Sequence, residues 1–140
     1  MTLNRVLIDS NICLDVILNR APFALKAVEI IQYCEEGHFS GWIAAHSFDT
    51  IFYILSKQIG KKKAYKGVHY IRDVFGVASV SEKTIDEALK LKWPDFEDAI
   101  HYQAALQVGC DAIVTRNDND FKNTKLPVLS PFQFLEQLEN

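Results

Sequence analysis

The side chains in this sequence best suited to chemistry are four aspartates, Asp9, Asp98, Asp118 and Asp120. Asp9 directly follows the short apolar run Val6-Leu7-Ile8, which reads as a buried strand. A second such run, Ala112 to Thr115, leads into Asn117, Asp118 and Asp120. In an open parallel sheet, ligands bind beyond the carboxyl ends of the strands, near a switch in strand order. Asp98 reaches that edge by length. The helix expected from Phe96 to Val108 runs away from the edge for ~17 Å, and the following strand returns over a comparable distance. Carboxylates gathered at one edge repel each other, and such a cluster is costly without a cation. Oxygen ligands favour hard divalent ions, Mg²⁺ or Mn²⁺, over zinc. These ions polarise a phosphoryl group and activate water for in-line displacement, so the chemistry that fits is phosphodiester hydrolysis.

The same residues have structural uses. Asp95, with Asp98 three positions later, makes a helix N-terminal capping pattern, and both complement the helix dipole. Apolar Ala99-Ile100 beside Asp98 points it inward. Asp118 and Asp120 would serve equally as turn formers in a polar loop. Asp9, straight after a buried strand, is harder to explain without a ligand. Arg116, adjacent to the acidic loop, is a candidate for touching a substrate phosphate. The positive run Lys57, Lys61-Lys62-Lys63, Lys66 and Arg72 reads either as a phosphate-gripping surface or as a solvated helix face. His101, one turn after Asp98, is read as a surface or core histidine with no catalytic role. Phe48, Phe52, Tyr53, Tyr65 and Tyr70 read as core and helix-packing residues, or alternatively as an apolar surface for a partner.

These side chains need a scaffold, and the chain alternates short apolar strands with amphipathic helices. Strands are expected at Val6 to Ile8, Phe39 to Ala44, Val77 to Val80 and Ala112 to Thr115, with an edge strand at Val128-Leu129. Helices are expected over Ile12 to Leu18, from Pro22 to Cys34, His46 to Ser56, from Lys61 to before Gly76, from Ser81 through Leu91, Phe96 to Val108, and from Pro131 onward. Gly37, Gly60, Gly76 and Gly109 are read as stops. The expectation is an α/β fold: a single domain over residues 1–140, with a parallel sheet of four to five strands and helices on both faces.

The 140 residues, 49% hydrophobic and 24% charged, suit one globular domain large enough to fold without disulfides or structural metal. A formal charge of −3 argues against binding nucleic acid through overall basicity, but leaves room for an acidic metal site and a local basic patch. Cys13, Cys34 and Cys110 are odd in number, far apart and set in apolar segments. They are expected to be buried reduced thiols of a cytoplasmic protein. No leader and no membrane span is expected.

Three segments together resemble the PIN-domain family, the fold of the VapC-type toxins of bacterial toxin–antitoxin pairs. Val6-Leu7-Ile8-Asp9-Ser10-Asn11-Ile12 resembles its opening, where an acid ends the first strand and an Asn follows two residues later. Asp95-Phe96-Glu97-Asp98-Ala99-Ile100, with Ala104 and Ala105 after it, resembles the segment carrying the third acid. Ile113-Val114-Thr115-Arg116-Asn117-Asp118-Asn119-Asp120-Phe121 resembles the closing motif. The resemblance spans essentially the whole chain. It implies a Mg²⁺- or Mn²⁺-dependent ribonuclease, often homodimeric, and a toxin when an antitoxin protein restrains it. It also implies that Asp9 and Asp98 are metal-binding catalytic acids. In the closing motif the register allows Asn117, Asp118 or Asp120, with Asp118 first. The family's second acid, a Glu early in the helix after strand two, falls here on Thr50, with Asp49 one residue aside and rotated by ~100°.

Two other classes compete. A non-catalytic PIN-fold module that binds RNA or protein would account for the missing Glu. A phosphotransfer receiver or aspartate-nucleophile phosphatase would also carry an acidic edge. The phosphatase pattern, however, wants a second aspartate where this chain has Asn11.

Overall fold

The computed structural model describes residues 2–140. The strands are β1 (Arg5–Ile8), β2 (Ser40–Ala44), β3 (Gly76–Ala78), β4 (Ala112–Val114) and β5 (Val128–Leu129). All pair in parallel, in the order β3-β2-β1-β4-β5. The chain steps outward from β1 through β2 to β3, then crosses back to place β4 on the other flank of β1. The strand order therefore reverses between β1 and β4, which opens a crevice at their carboxyl ends.

Alternation along the strands separates two cores. Val6, Ile8, Ile43, Ala112 and Val114 face the larger one. It is filled by α1 (Ser10–Ile17), α2 (Ala24–Glu35), α3 (Ala45–Ile59), α4 (Lys61–Val74) and α7 (Pro131–Glu139). Leu7, Ala44, Ala78 and Ile113 face the opposite side, which is covered by α6 (Phe96–Val108), with α5 (Glu82–Leu91) packed outside it. Small residues on α6, Ala104 and Ala105, let that helix lie close over the sheet. Among the described residues, no helix is long and apolar enough to cross a membrane.

Local signals fix the helix ends. Ser81 caps α5 in a reciprocal capping box with Thr84, and Ser130 does the same for α7 with Gln133. Gly109 ends α6 at φ 78°, a left-handed conformation that favours glycine.

Some boundaries differ from expectation. Pro22 does not open α2. It lies inside a turn closed by the Phe23 and Ala24 amides donating to the Arg20 carbonyl (2.9 and 2.8 Å), and the helix starts at Ala24. Gly76 is not a helix stop but the first residue of β3, where the Trp42 ring occupies the space of a Cβ. β3 ends at Ala78, short of Val80. The aromatics of α3 and α4 are only partly core: Phe48 and Phe52 pack against it, while Tyr53 and Tyr65 are 58% and 59% exposed.

Candidate active site

Asp9 sits at the crevice because β1 ends there. Its amide donates to the Val114 carbonyl (3.0 Å), which locks it beside the end of β4. It occupies the N-cap position of α1, but its side chain makes no capping bond. The carboxylate turns inward instead, with the residue only 5% exposed. Its Oδ2 accepts from Thr115 Oγ1 at 2.6 Å and from Asn11 Nδ2 at 3.3 Å, and its Oδ1 accepts from Ser10 Oγ at 3.3 Å. Thr115, fully buried, also accepts from the Asn117 amide at 3.0 Å. One hydroxyl thus ties the Asp9 carboxylate to the start of the acidic loop. The Asn117 side chain lies in an exposed residue and joins the site only through that amide.

Asp98 comes from the first turn of α6. Asp95 caps that helix by accepting from the Asp98 amide at 3.1 Å, so the two residues divide the work of capping and lining the site. Asp98 is 7% exposed, on the same inward face as Ala99. Burial pushes its carboxyl up to about 7, reinforced by the charges of Asp95, Asp9, Asp120 and Glu97. The loop acids lie on a short 3-10 turn, Asp118–Asp120. Of the two, the charge of Asp120 bears on Asp98. Asp118 is half-buried nearby in sequence and Asp120 is exposed.

The structure brings two histidines to this cluster: His101, given no catalytic role above, and His46, noted there only as the start of a helix. His101, one turn beyond Asp98 on α6, is 1% exposed. Its Nδ1 lies 4.0 Å from Asp9 Oδ1 and 3.9 Å from Asp98 Oδ1. Its Nε2 is bonded to Ser47 Oγ at 2.8 Å. His46 packs ring to ring with His101 at 4.7 Å, and burial, with His101 second, pushes its pKa down to about 4, so it is neutral near pH 7. The available signal was the i,i+3 spacing of Asp98 and His101, which puts both on one helix face. His46 and Ser47 gave none beyond their position just after β2.

The register of the expected second acid is filled differently. Asp49 is exposed and Thr50 half-buried. Both line a surface recess on α3 with Phe52, Tyr53 and Lys57, and neither bonds to the acidic cluster among the described residues. The α3 side chains that meet the site are His46 and Ser47. Arg116 is also engaged elsewhere. Its guanidinium pairs with Asp15 (Nε to Oδ2, 2.8 Å; Nη2 to Oδ1, 3.2 Å) and lies over the Phe23 ring at 3.8 Å. Asp15, 1% exposed, also pairs with Arg20 at 2.8 Å. This bridge anchors the loop after β4 to α1. The clue was a lone acid inside an apolar helix.

The donor set fits a cation. Asp9, Asp98 and His101 offer ligand atoms that all lie within 4.8 Å of one another. Among the described residues no lysine or arginine pairs with either carboxylate.

Comparison with known proteins gives the family and the fold. The chain is 25% identical over 142 residues to "Ribonuclease VapC1" of Aquifex aeolicus (strain VF5), covering 98% of this chain and 97% of that protein. Its fold matches VapBC from Salmonella typhimurium bound to DNA (TM-score 0.70, 13% identity, 92% of this chain and 99% of the other). It also matches VapBC2 from Rickettsia felis bound to a DNA fragment from their promoter (TM-score 0.69, 16% identity, 90% and 98%). The PIN domain family model matches residues 5–119, and the chain belongs to the PIN-domain family.

Proposed function

We propose that this protein is a metal-dependent ribonuclease that hydrolyses phosphodiester bonds within RNA, and that it acts as the toxin of a toxin–antitoxin pair. The observation that carries this reading is the pair of buried carboxylates, Asp9 and Asp98, with no lysine or arginine partner among the described residues, at the switch point of a PIN fold. Similarity along nearly the whole chain to a protein named a ribonuclease supports it.

Asp9 and Asp98 hold a divalent ion, Mg²⁺ or Mn²⁺, with Asp120 and Asp118 completing the acidic rim. When bound, such an ion polarises the phosphate and lowers the pKa of the attacking water. The remaining work belongs to the chain. Thr115 and Asn11 hold Asp9 Oδ2, leaving Oδ1 directed at the site. Asp95 fixes the first turn of α6 and with it the Asp98 backbone. Arg116 positions the acidic loop through Asp15. Exposed Tyr53 and Tyr65 on α3 and α4 offer an aromatic surface for an antitoxin or for a second copy of the chain. Three buried free thiols suit the reducing cytoplasm.

The test is cleavage of a mixed RNA pool by purified protein with Mg²⁺ or Mn²⁺, beside EDTA and Asp98→Asn controls. Cleavage that needs both the metal and Asp98 is the expected result. A folded protein that leaves RNA intact over long incubation, yet binds it with or without Asp9→Asn, would mark a non-catalytic binding module instead.

A further inference from the structure

We propose that His101 Nδ1 is a direct ligand of the ion held by Asp9 and Asp98, which makes the centre a mixed nitrogen–oxygen site that prefers Mn²⁺ and later transition ions to Mg²⁺. The assignment rests on the reading of Asp9 and Asp98 as ion ligands and adds to it the nitrogen and the choice of ion.

Three observations lead to it. First, Nδ1 of His101 is buried and has no hydrogen-bond partner, in a residue only 1% exposed. A buried polar atom without a partner is costly. Second, that atom is aimed between two carboxylate oxygens, 4.0 Å from Asp9 Oδ1 and 3.9 Å from Asp98 Oδ1. Those gaps exceed hydrogen-bond length. Two donors on one ion, each at about 2.0–2.2 Å, can stand up to about 4.4 Å apart, so both gaps fit ligand atoms on a shared cation. Third, the other ring nitrogen is already occupied, since Nε2 meets Ser47 Oγ at 2.8 Å. Metal-bound histidines regularly use the second nitrogen this way, which fixes the ring and its tautomer. In the tautomer a cation would select, Nε2–H donates to Ser47 and Nδ1 presents a lone pair toward two anions. That arrangement is repulsive by itself and favourable around a cation.

The partition of Asp9 supports the same geometry. Its Oδ2 is held by Thr115 and Asn11, while Oδ1, the oxygen nearer His101, accepts only a long bond from Ser10. A competing set exists: His46, Glu97 and His101 are also close enough to share an ion. Glu97 is exposed, however, whereas Asp9 and Asp98 are buried. Imidazole adds affinity for transition ions in the Irving–Williams order and adds little for Mg²⁺, which favours oxygen.

The experiment is pulsed electron paramagnetic resonance of Mn²⁺-loaded protein, read for nitrogen coupling to the ion, with calorimetric titration of Mn²⁺ and Mg²⁺. The proteins are wild type, His101→Gln, His46→Gln and Asp9→Asn, each checked for folding by thermal unfolding. Nitrogen coupling is expected in wild type and His46→Gln and absent in His101→Gln. Mn²⁺ binding should weaken about 10- to 100-fold in His101→Gln, with a smaller change for Mg²⁺. Mn²⁺ bound by wild type without nitrogen coupling, and equally well by His101→Gln, would overturn the histidine ligand while leaving the acidic centre standing. Coupling lost in His46→Gln instead would move the ion to the His46–Glu97 set and also overturn it. No Mn²⁺ binding by wild type, or binding untouched by Asp9→Asn, would sink the metal-nuclease reading itself. Should His101→Gln fail to fold, Ser47→Ala provides the second variant: it frees the ring without removing it, and is expected to weaken the coupling and Mn²⁺ binding while Mg²⁺ binding holds.

Discussion

Removing the charge of Asp98 should make the metal-free protein more stable, by an amount that grows as pH rises from about 4 to 7. In the folded chain this carboxyl is held at about 7 against an ordinary 3.8, by burial first and then by neighbouring acids. The folded state therefore binds a proton more tightly than the unfolded one between those two values. Stability at this site falls as pH rises through that window and is lowest above pH 7. Taken whole, the shift corresponds to at most about 4 kcal/mol. Water at the crevice and local relaxation screen such repulsion, which leaves about 2 kcal/mol. Against this, a charge in the first turn of α6 gains about 0.5 kcal/mol from the helix dipole, which Asn gives up. The N-terminal capping bond survives, because it runs from the Asp98 backbone amide to Asp95. The net gain for Asp98→Asn at pH 8 is about 1.5 kcal/mol, or roughly 5 °C in Tm for a domain of this size.

The assay is thermal unfolding of wild type and Asp98→Asn in EDTA from pH 4.5 to 8.5. Ionisations common to both proteins cancel in the difference, which should shrink steadily as pH falls from 7 towards 4. Added Mn²⁺ should then reverse the order at pH 8, because an ion that binds only the folded wild type stabilises it by mass action. A variant that is destabilised at pH 8, or a difference that stays flat across the range, would refute the claim that Asp98 is an uncompensated buried charge.

Thr115→Val should lower RNA cleavage by about tenfold and cost about 1–3 kcal/mol, because it strips a buried hydroxyl from both Asp9 and the Asn117 amide; a melt and a rate measurement check the two effects. Asp15→Ala removes the buried partner of Arg116 and Arg20, which are themselves partly exposed, so a loss of about 1–3 kcal/mol is expected in urea unfolding. A loss within 0.5 kcal/mol would deny the bridge its anchoring role. Gly41→Ala would set a Cβ 2.5 Å from the Phe75 ring, so overpacking of about 1–3 kcal/mol should appear as a lowered midpoint in chemical denaturation. Asp49→Asn should leave both RNA cleavage and Mn²⁺ affinity within about twofold of wild type, since Asp49 lines an exposed recess apart from the cluster; a tenfold loss of cleavage would return it to the site.

Much of the fold was legible in the sequence because local signals agreed with one another. Short apolar runs gave all five strands, and capping residues such as Ser81 and Ser130 marked helix starts. The errors fell where a neighbouring turn or a tertiary contact outranked the expected local rule. Pro22 has the conformation for a helix start, but the Arg20 carbonyl gathers the next two amides and delays the helix to Ala24. Gly76 looks like a stop, yet the Trp42 ring needs the space a side chain would fill. At the site, Asp9 and Asp98 were visible because strand-end acids and helix periodicity place them without knowledge of contacts. The role of Arg116 was not, because its partner Asp15 stands 101 residues earlier in the chain.

The histidines carry the same lesson into function. Read alone, His101 is a polar residue on a helix with apolar neighbours, and such residues usually serve packing. The structure changes that reading through what lies opposite: two carboxylates from other turns of the fold and a serine from α3. The missing acid on α3 and the unexpected imidazoles then become one observation. The place where the resemblance calls for a carboxylate holds Thr50, while His46 and Ser47, a turn earlier on the same helix, bring His101 into the cluster. An imidazole in place of a fourth carboxylate lowers the electrostatic cost of assembling the site. With His101 as a ligand, as proposed, the site would hold a softer ion better than a hard one. The balance between Mg²⁺ and Mn²⁺ binding would then be set by the same side chains that stand where the usual second acid is missing.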